Sequence, residues 1–150
     1  MGLRLDKITA ENWRQAASLT TDPERKIPLE EQWLANNLFS LLQCCYEEDW
    51  DCRLLMDRDK AVGFVFYGYD RDEDYYLLCR YMIDVKYQGR GYGKAFLPLV
   101  VEQIRSQYGC RDVYTCVHDD NAHALRLYTA FGFERTEKMD AEERVYVLRG

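Results

Sequence analysis

The sequence predicts a mixed α/β fold, with a mostly antiparallel central sheet of about seven strands flanked by about four helices. Apolar residues alternate with polar ones in some segments and recur at helical spacing in others. Three β-rich segments follow one another in the first half, separated only by short polar turns, which is typical of an antiparallel meander. The chain has no repeat, low-complexity tract or linker, so residues 1–150 are expected to form one domain.

The first half of the chain is expected to supply one strand, two helices or one broken helix, and then the meander. Residues 3–8 alternate and predict the first strand, and residues 11–20 predict a helix. Two prolines interrupt the pattern at 23–28, and helical spacing returns over residues 30–48. The meander strands are then predicted at 52–56, 62–69 and 76–85.

The second half is expected to alternate helices and strands. Residues 95–109 predict a helix in which Pro98 lies near the first turn or causes a kink. A strand at 111–117 and a helix at 121–132 follow. The last two strands are predicted at 133–138 and 145–148.

Composition and charge exclude several classes of function. The formal net charge is −6, from 26 acidic and 20 basic residues, which argues against nucleic acid or an anionic membrane as partner. The six cysteines include no C-x-x-C pair, and with only two histidines the chain predicts no metal site. It contains no apolar run of signal-peptide or membrane-spanning length. A cytoplasmic protein with free thiols is the expectation.

The most informative segment is a glycine-rich turn at residues 87–94, YQGRGYGK, between an apolar strand and a long helix. Glycines let the chain turn tightly, and the helix N-terminus presents free backbone N–H groups and a positive dipole end, which together suit a phosphate or pyrophosphate. The spacing matches neither G-x-x-x-x-G-K-[ST] nor G-x-G-x-x-G. Taken alone, the three glycines are equally compatible with a turn that binds nothing.

A second motif lies downstream and makes the first more specific. Residues 88–93, QGRGYG, resemble the Q/R-x-x-G-x-G/A signature of GNAT-superfamily N-acetyltransferases. Residues 121–133, NAHALRLYTAFGF, resemble that family's N-x-x-A-x-x-L-Y-x-x-x-G-F signature. Both motifs occur in the family's order, and the predicted elements follow the family over nearly the whole chain. Within the family, the chain looks most like bacterial spermidine and spermine acetyltransferases.

The resemblance implies direct transfer of an acetyl group from acetyl-coenzyme A to an amine, with no metal cofactor. It implies that Tyr128 donates a proton to the departing thiolate, although Tyr128 also has the spacing of a core residue. It further implies a set of cofactor-binding residues, Met82, Ile83, Val85, Gln88, Gly89, Arg90, Gly91, Tyr92, Gly93, Lys94 and Asn121. Family members often form homodimers, so a homodimer is left open.

The acceptor is expected to be a small-molecule amine, in particular a polyamine such as spermidine or spermine. Carboxylates and aromatic faces attract ammonium groups, and such residues cluster at 67–76. The candidate substrate residues, which include the candidate proton acceptors, are Glu31, Trp33, Asp72, Glu73, Asp74 and Asp84. A solvated hairpin turn would explain the acidic cluster equally well. Acetylation of a protein N-terminus, a lysine or an aminoglycoside remains an alternative, as does a non-catalytic acetyl-CoA-binding regulator.

Overall fold

In the computed structural model, residues 2–22 and 37–150 are described, and they form a seven-stranded sheet covered by helices on both faces. The strands are β1 (Leu3–Lys7), β2 (Trp50–Asp57), β3 (Lys60–Asp70), β4 (Tyr75–Ile83), β5 (Val113–His118), β6 (Glu134–Asp140) and β7 (Glu143–Leu148). The helices are α1 (Trp13–Ser18), α2 (Asn37–Tyr46), α3 (Tyr92–Tyr108) and α4 (Ala122–Phe131), with a 3₁₀ turn at Val85–Tyr87. The strand order is β1-β2-β3-β4-β5-β7-β6.

The sheet is mixed and mostly antiparallel, which confirms the predicted class. Strands β1 to β4 form the expected meander, with antiparallel pairing at each step. Strands β5, β7 and β6 are also antiparallel to their neighbours. The β4–β5 pair is parallel because α3 carries the chain back across the sheet between them.

Each face of the sheet has its own apolar core. On one face, side chains of α3 and α4 such as Phe96, Ile104 and Tyr128 pack against the strands. On the other face, Ala16 of α1 and Leu41 of α2 pack against β2 and β3. The strands between these layers therefore alternate between two buried environments, which explains why β3 is apolar over most of its length.

Several predicted boundaries were wrong for local reasons. Helix α1 starts at Trp13 and not at residue 11, because the Thr9 N–H donates to Oδ1 of Asn12 (2.7 Å) and closes a turn there. Helix α3 starts at Tyr92, so Pro98 lies in its second turn. Strand β4 ends at Ile83, and Val85 belongs to the 3₁₀ turn. The second predicted helix is described only over α2, because residues 23–36 lie outside the described part of the chain.

Candidate active site

Strands β4 and β5 separate soon after they meet. They are paired only at Leu77 with Tyr114 and at Leu78 with Thr115, although β4 continues to Ile83 and β5 to His118. A β-bulge in β4 lies at the same point, since Leu78 pairs with Tyr67 and Arg80 pairs with Phe66, which leaves Cys79 without a partner on β3. We call the gap beyond Leu78 the β4–β5 opening. Along it, the backbone edge of β4 is free to pair with something other than β5.

The glycine-rich turn lies beside this opening. Gly89 and Gly91 have φ values of 74° and 84°, in the left-handed region that favours glycine. A Cβ at either position would meet nothing within 4 Å, so the backbone conformation and not crowding requires glycine. Gly91 is the N-cap of α3 and its carbonyl accepts the first helical hydrogen bond, from Ala95. The N–H groups of Tyr92, Gly93 and Lys94 therefore lack helical acceptors and can bind an anion.

A cavity of about 710 Å³ extends from this turn to the β4–β5 opening, and we call it the glycine-side cleft. Ten of the predicted residues line it: Met82, Ile83, Gln88, Gly89, Gly91, Tyr92, Gly93, Lys94, Asn121 and Tyr128. The sequence did not single out Tyr81 and Arg126, which also line it. The Tyr81 hydroxyl donates to the Gly93 carbonyl (2.6 Å) and so ties β4 to the start of α3.

Two predicted cofactor residues are placed differently from the rest. Val85 does not line the cleft, and its backbone N–H donates to the Thr20 carbonyl (2.7 Å), so that edge of the backbone is already paired. Arg90 also lies outside the cleft lining, with its guanidinium 5.6 Å from the centroid of the Tyr87 ring. Arg90 is thus at the rim, where Tyr87 forms part of the wall.

Helix α4 brings Asn121 and Tyr128 to the same cleft. Oδ1 of Asn121 accepts the Ala124 N–H (3.2 Å), so this side chain caps the helix. The cap uses only the carbonyl oxygen of the amide. Seven residues later, on the same helix face, Tyr128 is 7% exposed and its ring packs edge-on against Phe133 at 5.2 Å. Tyr128 therefore belongs both to the core and to the cleft wall.

The environment of Tyr128 keeps its phenol protonated. Burial raises the pKa of Tyr128 well above its usual value, and a hydrogen bond with Thr115 opposes this rise. The negative charge of Glu143 raises the pKa further. At neutral pH the side chain is consequently a proton donor and not a phenolate.

A second cavity, of about 360 Å³, lies on the other side of the opening, and we call it the Glu143-side cleft. It shares Tyr81, Met82 and Tyr128 with the glycine-side cleft, so the two meet at the β4–β5 opening. Its wall includes two carboxylates, Asp22 and Glu143. Neither residue stood out in the sequence, because neither lies in a motif.

The acidic turn between β3 and β4 does not reach either cleft. Glu73 forms an ion pair with Lys138, and Asp74 accepts a hydrogen bond from the Tyr69 hydroxyl. The turn precedes Tyr75, at the end of β4 opposite the opening. Asp72, Glu73 and Asp74 are absent from the lining of both clefts, so the structure does not support the predicted substrate wall.

Asp84 lies outside the lining of both clefts as well. It is only 2% exposed, and its carboxylate accepts the N–H groups of Thr20 (2.9 Å) and Lys86 (3.0 Å). It caps the 3₁₀ turn and attaches the segment after α1 to the end of β4. Asp84 therefore has a structural role, whereas the other two candidates, Glu31 and Trp33, lie outside the described residues.

A third cavity lies elsewhere. It has a volume of about 810 Å³ and lies between α2, β2 and the C-terminal half of α3, with Leu38, Leu42 and Arg53 in its wall. It shares no residue with the two clefts and contains neither motif. In residues 2–22 and 37–150, no group of three or more His, Cys, Asp or Glu side chains is arranged to hold a metal ion. Within the same ranges, no helix has the length and apolarity to cross a membrane.

The site fits acetyl-CoA. Free N–H groups at the start of α3, open space over Gly89 and Gly91, and an unpaired β4 edge form one continuous cleft. These are the features that a pyrophosphate and an extended amide-containing arm require.

Comparison with known proteins agrees with this geometry. The chain is 34% identical over 107 residues to the spermine/spermidine N(1)-acetyltransferase of Bacillus subtilis (strain 168), covering 64% of this chain and 70% of that protein. Its fold is similar to that of the PaiA N-acetyltransferase from Thermoplasma acidophilum in complex with coenzyme A, with a TM-score of 0.72, 16% identity and full coverage of both chains. It is also similar to spermidine N-acetyltransferase from Vibrio cholerae in complex with CoA and spermine, with a TM-score of 0.75, 14% identity, and coverage of 99% and 95%.

The family is shown by a match over most of the chain. Residues 7–133 match the acetyltransferase (GNAT) family, a range that includes both motifs and both clefts apart from Glu143. This chain therefore belongs to the GNAT family and is an acetyl-CoA-dependent N-acetyltransferase.

Proposed function

We propose that the acceptor is a primary amine of a polyamine such as spermidine or spermine, and that Tyr128 is the general acid of a direct transfer. The observation that carries the acceptor class is the 34% identity to a Bacillus subtilis protein named spermine/spermidine N(1)-acetyltransferase. The observation that carries the role of Tyr128 is its place in the wall of both clefts.

The backbone around the glycine-rich turn is proposed to hold the coenzyme. The N–H groups of Tyr92, Gly93 and Lys94 would bind the pyrophosphate, and the Lys94 ammonium adds positive charge beside them. Gln88 donates from Nε2 to the Ile83 carbonyl (3.0 Å), which braces the turn against the end of β4. Gln88 thus acts on the coenzyme through the conformation of the turn.

The edge of β4 at Met82 and Ile83 is proposed to pair with the arm of the coenzyme. Both residues line the glycine-side cleft, beyond the last β4–β5 pair. When bound, acetyl-CoA supplies a thioester carbonyl carbon that an amine can attack. An arm that pairs with this edge would direct the thioester towards the β4–β5 opening, where Tyr128 lies.

Tyr128 is suited to protonate the leaving sulfur. The phenol is protonated at neutral pH, and its burial keeps bulk water from competing for the proton. General acid catalysis of this kind contributes about 10²–10⁴-fold to a rate. A phenylalanine at this position would keep the ring packed against Phe133 and remove the hydroxyl group, together with its hydrogen bond with Thr115.

The Glu143-side cleft is the proposed entrance for the amine. Polyamines are cationic near neutral pH, and this cleft carries two carboxylates, Asp22 and Glu143. It also contains Arg80, whose pKa is lowered by burial. A cationic acceptor would be attracted to the carboxylates and kept away from the Arg80 side of the wall.

The test measures release of the free thiol of coenzyme A with spermidine, spermine, putrescine, an aminoglycoside and a lysine peptide. We expect spermidine or spermine to have the highest kcat/KM. We also expect Tyr128→Phe to lower kcat by about 100-fold or more without changing the Kd for acetyl-CoA. Tyr114→Phe is the matched control, because Tyr114 is on β5 but lines neither cleft.

Each part of the proposal can fail separately. A clear preference for the lysine peptide or the aminoglycoside would contradict the polyamine acceptor and leave the role of Tyr128 open to test with that substrate. An unchanged kcat in Tyr128→Phe would contradict the general acid, whichever amine is acetylated.

A further inference from the structure

Strand pairing, and not a sequence motif, places Glu143 at the candidate active site. It is the first residue of β7 and pairs with His118, the last residue of β5. His118 directly precedes the segment that leads to Asn121 and α4. The β5–β7 ladder therefore places the side-chain carboxylate of Glu143, a residue near the C-terminus, at the β4–β5 opening.

Glu143 and Tyr128 are on opposite faces of the sheet. Tyr128 packs in the core formed with α3 and α4, together with Val113 and Val117 of β5. Val145 of β7 belongs to the other face, in a cluster with Leu77. Side chains alternate along a strand, so Glu143, two residues before Val145, shares its face.

Both residues nevertheless line the Glu143-side cleft. A single cavity can include groups from both faces only where it passes between strands, and the β4–β5 opening provides that passage. A reacting centre in the opening would have the Tyr128 phenol on one side and the Glu143 carboxylate on the other. This is the arrangement that an acid and a base acting on one transfer need.

The surroundings of Glu143 favour proton uptake. Desolvation raises the pKa of Glu143, the charge of Asp140 on β6 raises it further, and His118 on β5 lowers it. The other titratable or charged side chains of the described residues that line this cleft are Cys79, Arg80 and Tyr81 on β4, Cys116 on β5, Tyr128 on α4, and Asp22. A carboxylate whose pKa is raised is a stronger base than one at its ordinary pKa.

The neighbouring groups are poorer proton acceptors. Nδ1 of His118 already accepts the Asp120 N–H (3.2 Å). Desolvation raises the pKa of Cys79 to about 11 and that of Cys116 to about 12, so both are neutral thiols at pH 7. Asp22 also lines this cleft but lies on the segment after α1, outside the β5–β7 ladder that places Glu143 at the opening.

We propose that Glu143 is the general base that deprotonates the acceptor ammonium. This assignment rests on the proposed function, because it takes Tyr128 as the general acid. It applies to any aliphatic amine acceptor.

The Glu143 carboxylate takes one proton from the ammonium, and the neutral nitrogen forms a bond to the acetyl carbon. The carbon–sulfur bond breaks, Tyr128 gives its proton to the sulfur, and the remaining excess proton on nitrogen returns to the phenolate through solvent. Glu143 then releases its proton, so one proton is produced for each acetyl group transferred.

The experiment compares Glu143→Gln, Glu143→Asp and Glu142→Gln with the wild type, using acetyl-CoA and the best amine of the panel. Glu142 is the matched control because it is the exposed preceding residue and lines neither cleft. We expect Glu143→Gln to lower kcat by about 100-fold, Glu143→Asp to restore part of it, and Glu142→Gln to match the wild type. The acid limb of the wild-type profile of kcat/KM against pH should be absent in Glu143→Gln.

A weakly basic acceptor separates a base from a structural residue. A fluorinated amine that is already neutral at the assay pH needs no initial deprotonation. The defect of Glu143→Gln should therefore shrink at least about tenfold with this acceptor, which corresponds to about 1.4 kcal/mol. A defect of equal size for both amines would overturn the proposal.

Two further results would also overturn it: a kcat within threefold of the wild type, or an effect confined to the KM for the amine. Acetyl-CoA Kd and Tm are measured for each variant, so that loss of folding is recognised directly. If the polyamine assignment is wrong, the wild type will prefer another amine of the panel. If the assignment of the base is wrong, the ratio of kcat in Glu143→Gln to kcat in the wild type will stay close to one.

Discussion

The two ends of β4 are similar in composition and different in what their polar groups do. The hairpin before Tyr75 carries carboxylates and tyrosines, and these are engaged with one another and with basic residues, as in Glu73–Lys138 and Tyr69–Asp74. At the other end, β4 has lost β5 as a partner, and its backbone and side chains line two clefts. A site depends on polar groups that the fold leaves available, and composition does not reveal which ones these are.

The largest expected effect is on stability, at the end of β4 beside the opening. Asp84→Ala would remove the acceptor of the part-buried hydrogen bonds from the Thr20 and Lys86 N–H groups, at a cost of about 1–3 kcal/mol. Chemical denaturation would measure the loss. Asp72→Ala, in the exposed hairpin, is the control and should change stability by less than about 0.5 kcal/mol. Equal losses of unfolding free energy in the two variants would mean that polar groups at the two ends of β4 contribute equally to stability.

The next effect is on binding of the coenzyme. Gly91→Val forces a β-branched residue into a left-handed conformation at the N-cap of α3, with strain of about 1–3 kcal/mol. We expect the Kd for acetyl-CoA, measured by calorimetry, to rise about tenfold or more. Gly109→Val imposes similar strain at the other end of the same helix, where φ is 65° and a Cβ also meets nothing. That control should lower Tm and leave the Kd unchanged; a raised Kd in both variants would contradict the prediction.

A smaller effect, on the pH dependence of stability, is expected at the hydrogen bond that the Tyr92 hydroxyl donates to Oδ2 of Asp57 (2.7 Å). This bond holds the pKa of Asp57 below its ordinary value, so its contribution to stability is complete above about pH 4 and is lost as the pH falls through the lowered value. The difference in unfolding free energy between the wild type and Tyr92→Phe should thus be larger at pH 7 than at pH 3. Tyr87→Phe, in the same cleft, should show no such trend. A difference that does not change with pH would contradict the role of Asp57.

The smallest effect is expected in the hairpin. The combined variant Asp72→Asn, Glu73→Gln, Asp74→Asn should leave the KM for spermidine within twofold of the wild type, because none of these residues lines a cleft. Loss of the exposed ion pair with Lys138 should cost less than about 1 kcal/mol. A large rise in KM would show that this end of β4 does contact the acceptor.

The parts of the site that are local in sequence could be predicted from it. The glycines at 89 and 91 and the pair Asn121 and Tyr128 are each set by spacing within one turn or one helix, so short motifs identified them. Glu143 could not be found in this way, because its position depends on the β5–β7 register across 25 residues of chain. Asp84 was misassigned for a related reason, since the backbone groups that occupy its carboxylate include that of Thr20, far earlier in the chain.

The fold class was predicted correctly because alternation and helical spacing persist over whole elements. The ends of elements were less accurate, since they depend on single hydrogen bonds such as the Asn12 turn before α1. The separation of β4 from β5 could not be predicted in this way, because the sequence does not show which strands are neighbours in the sheet.

The bulge at Cys79 also restricts how this protein can change in length. Before it, Leu77 faces the α1–α2 layer and Leu78 the α3–α4 layer; after it, Met82 faces the former and Tyr81 and Ile83 the latter, so the alternation shifts by one residue. Because Leu78 and Arg80 already pair with consecutive residues of β3, deletion of Cys79 would leave every downstream residue of β4 facing its present layer and keep the Tyr81 hydroxyl at Gly93. Deletion or insertion of one residue elsewhere in β4 would instead exchange the layers faced by the residues beyond it. This strand should therefore tolerate a change of length at position 79 far more readily than at its other positions.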